Sequence, residues 1–152
     1  MKKAVALILI IGTLFPLLHS CKKYEEGPWI SFRSKEKRLT GIWDLIEATK
    51  SNGSVVPDSL VTTGLSFGSQ LSGGNCSFHT VNSDTVHLPC SWYWSNKKES
   101  LSIYNPSASS GISSGILSVS HDIKIKRLKL NELWLEAEKD GERFTYKYNK
   151  SQ

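Results

Sequence analysis

The sequence predicts an all-β domain of about eight antiparallel strands, and three observations predict it. From Thr40 onward apolar residues recur at period two, as in Leu133-x-Leu135-x-Ala137 and Phe144-x-Tyr146-x-Tyr148, the spacing of strands with one buried and one wet face. Turn signals such as Ser51-Asn52-Gly53 and Asp140-Gly141 break these runs at short intervals. One hairpin register, turning at Asn82-Ser83-Asp84, sets Phe78 opposite Leu88 and Cys76 opposite Cys90, so apolar side chains and two thiols meet on one face. A long array with a wet face must remove its edges, either as an up-and-down barrel or as a β-sandwich. The physics of the sequence leaves both open.

Residues 1–20 stand apart from this domain. Lys2 and Lys3 precede an apolar run from Ala4 to Leu18, broken by Gly12 and Pro16 and followed by Ser20 and Cys21. That is the order of a secretory signal peptide, and the run is shorter than the roughly 20 residues that span a bilayer. Leu18-His19-Ser20-Cys21 resembles the lipobox of bacterial lipoproteins. The resemblance implies cleavage between Ser20 and Cys21 and fatty acylation, palmitate among the chains, at Cys21. Two or three chains, at about 0.8 kcal/mol per buried CH₂, anchor a protein far better than one. Lys22 and Lys23 replace the acidic residue associated with inner-membrane retention, which implies a lipid-anchored protein of the outer membrane. Lys22-Lys23-Tyr24-Glu25-Glu26 also resembles the surface-export signals of Bacteroidetes lipoproteins; the periplasmic and surface faces both stay open.

Charge narrows the partners. Lys2 and Lys3 leave with the signal, so the excess of 19 Lys and Arg over 14 Asp and Glu shrinks on the mature chain. No nucleic-acid footprint is left. Residues 21–38 read as a lipidated tether and lead-in segment, with Gly27-Pro28 as a breaker and Arg33, Lys35, Lys37 and Arg38 as a basic cluster. A short helical turn closing one end of the domain is the preferred reading of that cluster; contact with anionic head groups is the second.

The strands then follow in order through residues 39–150. The first runs from about Gly41 to Thr49, Val55 and Val56 come before the Pro57-Asp58 interruption, and Leu65-Ser66-Phe67 is a further strand. The hairpin around Asn82 pairs Cys76 with Cys90, which an oxidising envelope would join into a disulfide contributing about 3 kcal/mol. His79 and His87 meet on the opposite face, where two imidazoles alone make an incomplete metal site, so no metal is expected. Pro89 marks an edge or bulge, since it cannot donate to a ladder. A loop from Asn96 to Glu99 pairs Trp94 with Leu101 and Trp92 with Ile103, pointing both indoles inward. Asn105 to Ser118 is rich in Ser, Gly and Pro and reads as a long loop. Ile123, Ile125 and Leu128 form a strand whose spacing slips near Arg127, the mark of a bulge. Asp140-Gly141 closes the last hairpin, pairing Leu135 with Tyr146 and Leu133 with Tyr148, with Trp134 near Lys147 on the wet face.

Arg38-Leu39-Thr40-Gly41-Ile42-Trp43 resembles the opening Gly-x-Trp strand of lipocalins, and its basic lead-in resembles that of Bacteroidetes lipocalin-like lipoproteins. Cys90-Ser91-Trp92-Tyr93-Trp94, the Ile123-x-Ile125-x-x-Leu128 step and the Leu133-Trp134-Leu135 hairpin are similar to later strands of that group. The resemblance favours the barrel over the sandwich and implies that Gly41 and Trp43 begin it and plug its floor. Three function classes follow. A binding module would hold a small apolar ligand among Trp92, Trp94, Leu101, Tyr146 and Tyr148. An interaction domain would fill its core and act on an envelope protein. An enzyme would need a nucleophile, a base and an orienting group together, and the Ser residues have no such context, so neither catalysis nor a cofactor is expected.

Overall fold

The computed structural model describes residues 33–57, 61–68, 73–80, 86–104, 116–118 and 122–152. Residues 1–32, which carry the signal, Cys21 and the tether, lie outside them, as do the Asn82-Ser83-Asp84 turn and His121. Eight strands follow one short helix: α1 (Lys35–Leu39), β1 (Gly41–Lys50), β2 (Gly64–Phe67), β3 (Gly73–Thr80), β4 (Val86–Ser95), β5 (Ser100–Tyr104), β6 (Ile123–Leu128), β7 (Glu132–Lys139) and β8 (Glu142–Lys150). Each pairs antiparallel with the next, and β8 returns to β1, so the sheet is a closed up-and-down barrel without edges. The sandwich is thereby set aside.

Registers follow the alternation of the sequence. Cys76 faces Cys90 and Phe78 faces Leu88, and a disulfide joins the two cysteines across the pair. Trp94 opposes Leu101 and Trp92 opposes Ile103; Leu135 opposes Tyr146 and Leu133 opposes Tyr148. The spacing slip near Arg127 is a register shift between Ile125 and Arg127 against β7. A second shift, between Leu45 and Glu47 against β8, turns Ile46 outward to 60% exposure. At Pro89, β4 pairs with Ser77 of β3, whereas its described pairing with β5 begins only at Ser91. The missing donor therefore falls where the ladder does not need it.

Alternation drives one face of every strand into a single apolar core. Trp43, Trp92, Tyr146, Tyr148 and Phe78 are its largest members, each under 2% exposed. The floor is built from α1. Trp43 Nε1 donates to the Leu39 carbonyl (2.7 Å), the Lys150 ammonium lies 5.0 Å from the Trp43 ring centroid, and Lys150 Nζ also donates to the Arg38 carbonyl. Gly41 is needed here twice over: its φ is +131°, and a Cβ would sit 2.5 Å from Lys150 Cε.

The helical reading of the basic cluster holds, and it removes Arg38 from any solvent-facing patch. Arg38 is 7% exposed and donates through Nη1 to the Leu128 carbonyl at 2.6 Å. Lys35 donates to the Lys98 carbonyl, and Glu36 pairs with Lys98, whose hydrogen bond holds the Glu36 carboxyl below its ordinary range. The helix is thus stitched to the β4–β5 and β6–β7 turns. The expectation of an unstructured Asn105–Ser118 loop needs correction at its end. Ile116–Ser118 forms a 3₁₀ turn, with Ile116 and Leu117 1% and 0% exposed. Two adjacent branched apolar residues recover more on burial than the Ser and Gly around them lose.

Candidate ligand site

All five residues assigned to a pocket from sequence face the barrel interior, from two walls. Trp92 and Trp94 on β4 and Leu101 on β5 form one wall. Tyr146 and Tyr148 on β8 form the other, against Ala48 and Leu45 of β1. Trp92, Leu101 and Tyr146 are fully buried and Tyr148 is 1% exposed, whereas Trp94 is partly buried against the core. Period two fixed their direction; closure of the barrel brought the walls face to face.

Polar atoms in this interior are few, and they differ in how they are satisfied. The Tyr148 hydroxyl donates to the Thr62 carbonyl (2.9 Å), tying β8 to the segment leading into β2. Burial pushes both phenols well above their ordinary range, and for Tyr148 the neighbouring Tyr146 adds to it. The indole N–H groups of Trp92 and Trp94 are buried with no hydrogen-bond partner among the described residues. Their rings meet edge to face, centroids 5.4 Å apart. Nearly all buried donors in proteins find an acceptor, and an orphaned one costs about 1–3 kcal/mol.

Several residues that shape this wall were not singled out from the sequence. Phe67 meets Trp92 edge-on at 5.9 Å. Gly74 sits across from Trp92, and a Cβ there would lie 3.1 Å from Trp92 Nε1 and 3.0 Å from the Gly68 carbonyl oxygen. The Gly73-Gly74 pair inside a strand carried that signal, since glycine in a ladder marks close backbone approach. Val56, Val61 and Thr62 are buried ahead of β2, but no periodicity runs through them.

His79 and His87 are Cα partners on β3 and β4. Among the described residues no three His, Cys, Asp or Glu side chains gather as a metal ion would require.

No family model and no curated protein matches the chain. Solved structures do resemble it. A lipocalin-like protein from Bacteroides uniformis is 17% identical, covering 75% of this chain and 99% of its own, with a TM-score of 0.47. A redesigned β-barrel is 11% identical over 81% of this chain and all of its own, at a TM-score of 0.49. Japanin from Rhipicephalus appendiculatus, solved bound to cholesterol, is 11% identical over 78% of this chain and 79% of its own, also at 0.49. Each is a likeness at low identity, and one of them is to a protein described as lipocalin-like.

Proposed function

We propose that this protein is an outer-membrane lipoprotein, anchored through acyl chains on Cys21 after loss of residues 1–20, whose barrel binds a small apolar ligand bearing a hydrogen-bond acceptor. Binding, not catalysis, is its activity. The observation that carries this reading is the pair of buried indole N–H donors on Trp92 and Trp94, left without acceptors in an otherwise apolar interior. A carbonyl, carboxylate or hydroxyl oxygen on a ligand would satisfy them, while Phe67, Leu101 and the two tyrosines would enclose its hydrocarbon part. The anchor rests on the Leu18-His19-Ser20-Cys21 signature alone.

A second reading, an envelope interaction domain with a filled core, draws on a different observation: the largest inward side chains are all under 2% exposed. Native and denaturing mass spectra of the full-length protein separate the two. A ligand mass lost on denaturation, together with quenching of tryptophan fluorescence by an added long-chain fatty acid, supports the binding barrel. The alkane of equal length should bind more weakly, and Trp92→Phe should erase most of that difference. A clean native mass with no quenching overturns it in favour of the filled core. Metabolic labelling with palmitate tests the anchor separately, and Cys21→Ala should abolish both the label and membrane association.

A further inference from the structure

The outside of the barrel is divided by charge. Strands β2, β3, β4 and β5 contain no Lys, Arg, Asp or Glu, while β6, β7 and β8 each carry several, including the Arg127–Glu132 and Lys126–Glu136 pairs. On the uncharged side two tyrosines stand out in solvent, Tyr93 at 54% and Tyr104 at 62% exposure. They belong to one face: Ser91 opposes Tyr104 and Tyr93 opposes Ser102 in the β4–β5 ladder, which makes the two rings diagonal neighbours, about 7–8 Å apart at the backbone. Tyr93 also lies over β3, because opposite it is Gly73, where a Cβ would come within 2.9 Å of the Tyr93 ring. Beside the Tyr104 ring is a hollow of about 330 Å³ lined by Asn75, Cys76, Pro89, Cys90, Ser91 and Tyr104. That volume falls at the lower end of the range for small-molecule sites, about 300–1,000 Å³.

We propose that this outer face of β3, β4 and β5 binds a neutral saccharide. The chemistry of the lining selects that class. Asn75, Ser91 and the Tyr104 hydroxyl each can donate and accept, which suits a ligand whose hydroxyls do the same. Pro89 and the tyrosine rings offer apolar surface to the C–H faces of a sugar ring. A phosphate, sulfate or carboxylate would find no cation on these strands. A purely hydrocarbon ligand would leave the amide and hydroxyls unanswered. The Cys76–Cys90 disulfide, whose residues also line the hollow, ties β3 to β4, so little ordering is left for the ligand to impose. Asn75, Pro89, Ser91 and Tyr104 alternate along these strands with the inward residues, so the polar part of the lining faces away from the Trp92–Trp94 wall.

The test uses the purified full-length protein on an array of neutral and anionic oligosaccharides, with calorimetry on the best neutral binder. Neutral oligosaccharides should be retained, with affinity unchanged when salt rises from about 50 to 500 mM. Tyr104→Ala should weaken binding by roughly tenfold or more, Asn75→Ala should weaken it as well, and Trp92→Phe should leave it unaltered. Circular dichroism establishes that each variant is folded. The proposal is overturned if no neutral oligosaccharide binds, if binding is confined to anionic ones, or if a folded Tyr104→Ala protein binds as before. It is equally overturned if the face proves to join two copies of the chain, seen as a dimer in sedimentation that Tyr104→Ala splits. Failure here leaves the interior ligand untouched, since that site is read by the dependence of fatty-acid binding on Trp92.

Discussion

Gly41 shows how much a single residue can carry at the base of the barrel. It turns the chain from α1 into β1 with φ at +131°, and the space its missing Cβ leaves is used by Lys150 Cε, 2.5 Å from that point. Lys150 passes through to the Trp43 ring and the Arg38 carbonyl. Gly41→Ala combines backbone strain with overpacking and should cost about 1–3 kcal/mol in urea unfolding. Removing the obstacle with Lys150→Ala should relieve only the steric part, so the two substitutions should couple in a double-mutant cycle. Full additivity would show that Lys150 does not need that space. The same scale holds the unanswered polar atoms at Trp92 and Trp94. Like the buried Arg38 Nε they depart from ordinary core packing, but they alone of the three stand on the proposed ligand wall, and for that reason they carry the functional reading.

Among the elements, the β4–β5 turn and the β3–β4 hairpin make opposite contributions. In the turn, Asn96, Lys97 and Lys98 take φ of 43°, 53° and 67° in succession, a left-handed run that costs non-glycine residues about 1–2 kcal/mol each. Lys98 recovers part of this through Glu36. Lys97 is exposed, and Lys97→Gly should raise stability by about 0.5–1 kcal/mol in thermal unfolding, with no change in the α1 contacts. A loss of stability would mean the turn is held by something other than its backbone geometry. The hairpin works the other way. Its disulfide closes a separation of 14 residues, and replacing both cysteines by alanine should cost about 3 kcal/mol through the freed unfolded chain. An unchanged urea midpoint would show that the two strands are held in register without it.

For the molecule as a whole, closure makes the interior cooperative. Tyr146 and Tyr148 sit on β8, which pairs with both β7 and β1, so neither phenol can reach water without opening the seam. Burial raises both above the ordinary tyrosine range. For an acid whose folded value is raised, stability is complete below the unfolded value, about 10, and declines as pH rises beyond it. Alkaline titration should therefore show the phenolate absorbance of these two tyrosines appearing together with loss of the sheet circular dichroism signal. Phenolate formation by Tyr146 and Tyr148 at ordinary pH in an intact sheet would contradict the buried β8 wall.

By itself the sequence determined what depends on neighbours along the chain and on the two-residue period. That includes which face of each strand is apolar, the hairpin registers around Cys76–Cys90, Trp94–Leu101 and Leu135–Tyr146, the bulge near Arg127 and the helical lead-in. These are local because alternation and turn chemistry are local. Only the tertiary structure decided that β8 pairs with β1 and so closes a barrel instead of a sandwich. It also decided that Arg38 turns inward to Leu128, that Ile116 and Leu117 are buried, and that Tyr104 lines a hollow on an uncharged face. Each of these joins residues far apart in the chain, and no periodicity records which distant strand or carbonyl a side chain will meet. The candidate ligand wall lies between the two. Its members were legible as inward residues, while the absence of acceptors for Trp92 and Trp94 among the described residues could be seen only from the tertiary positions of those residues.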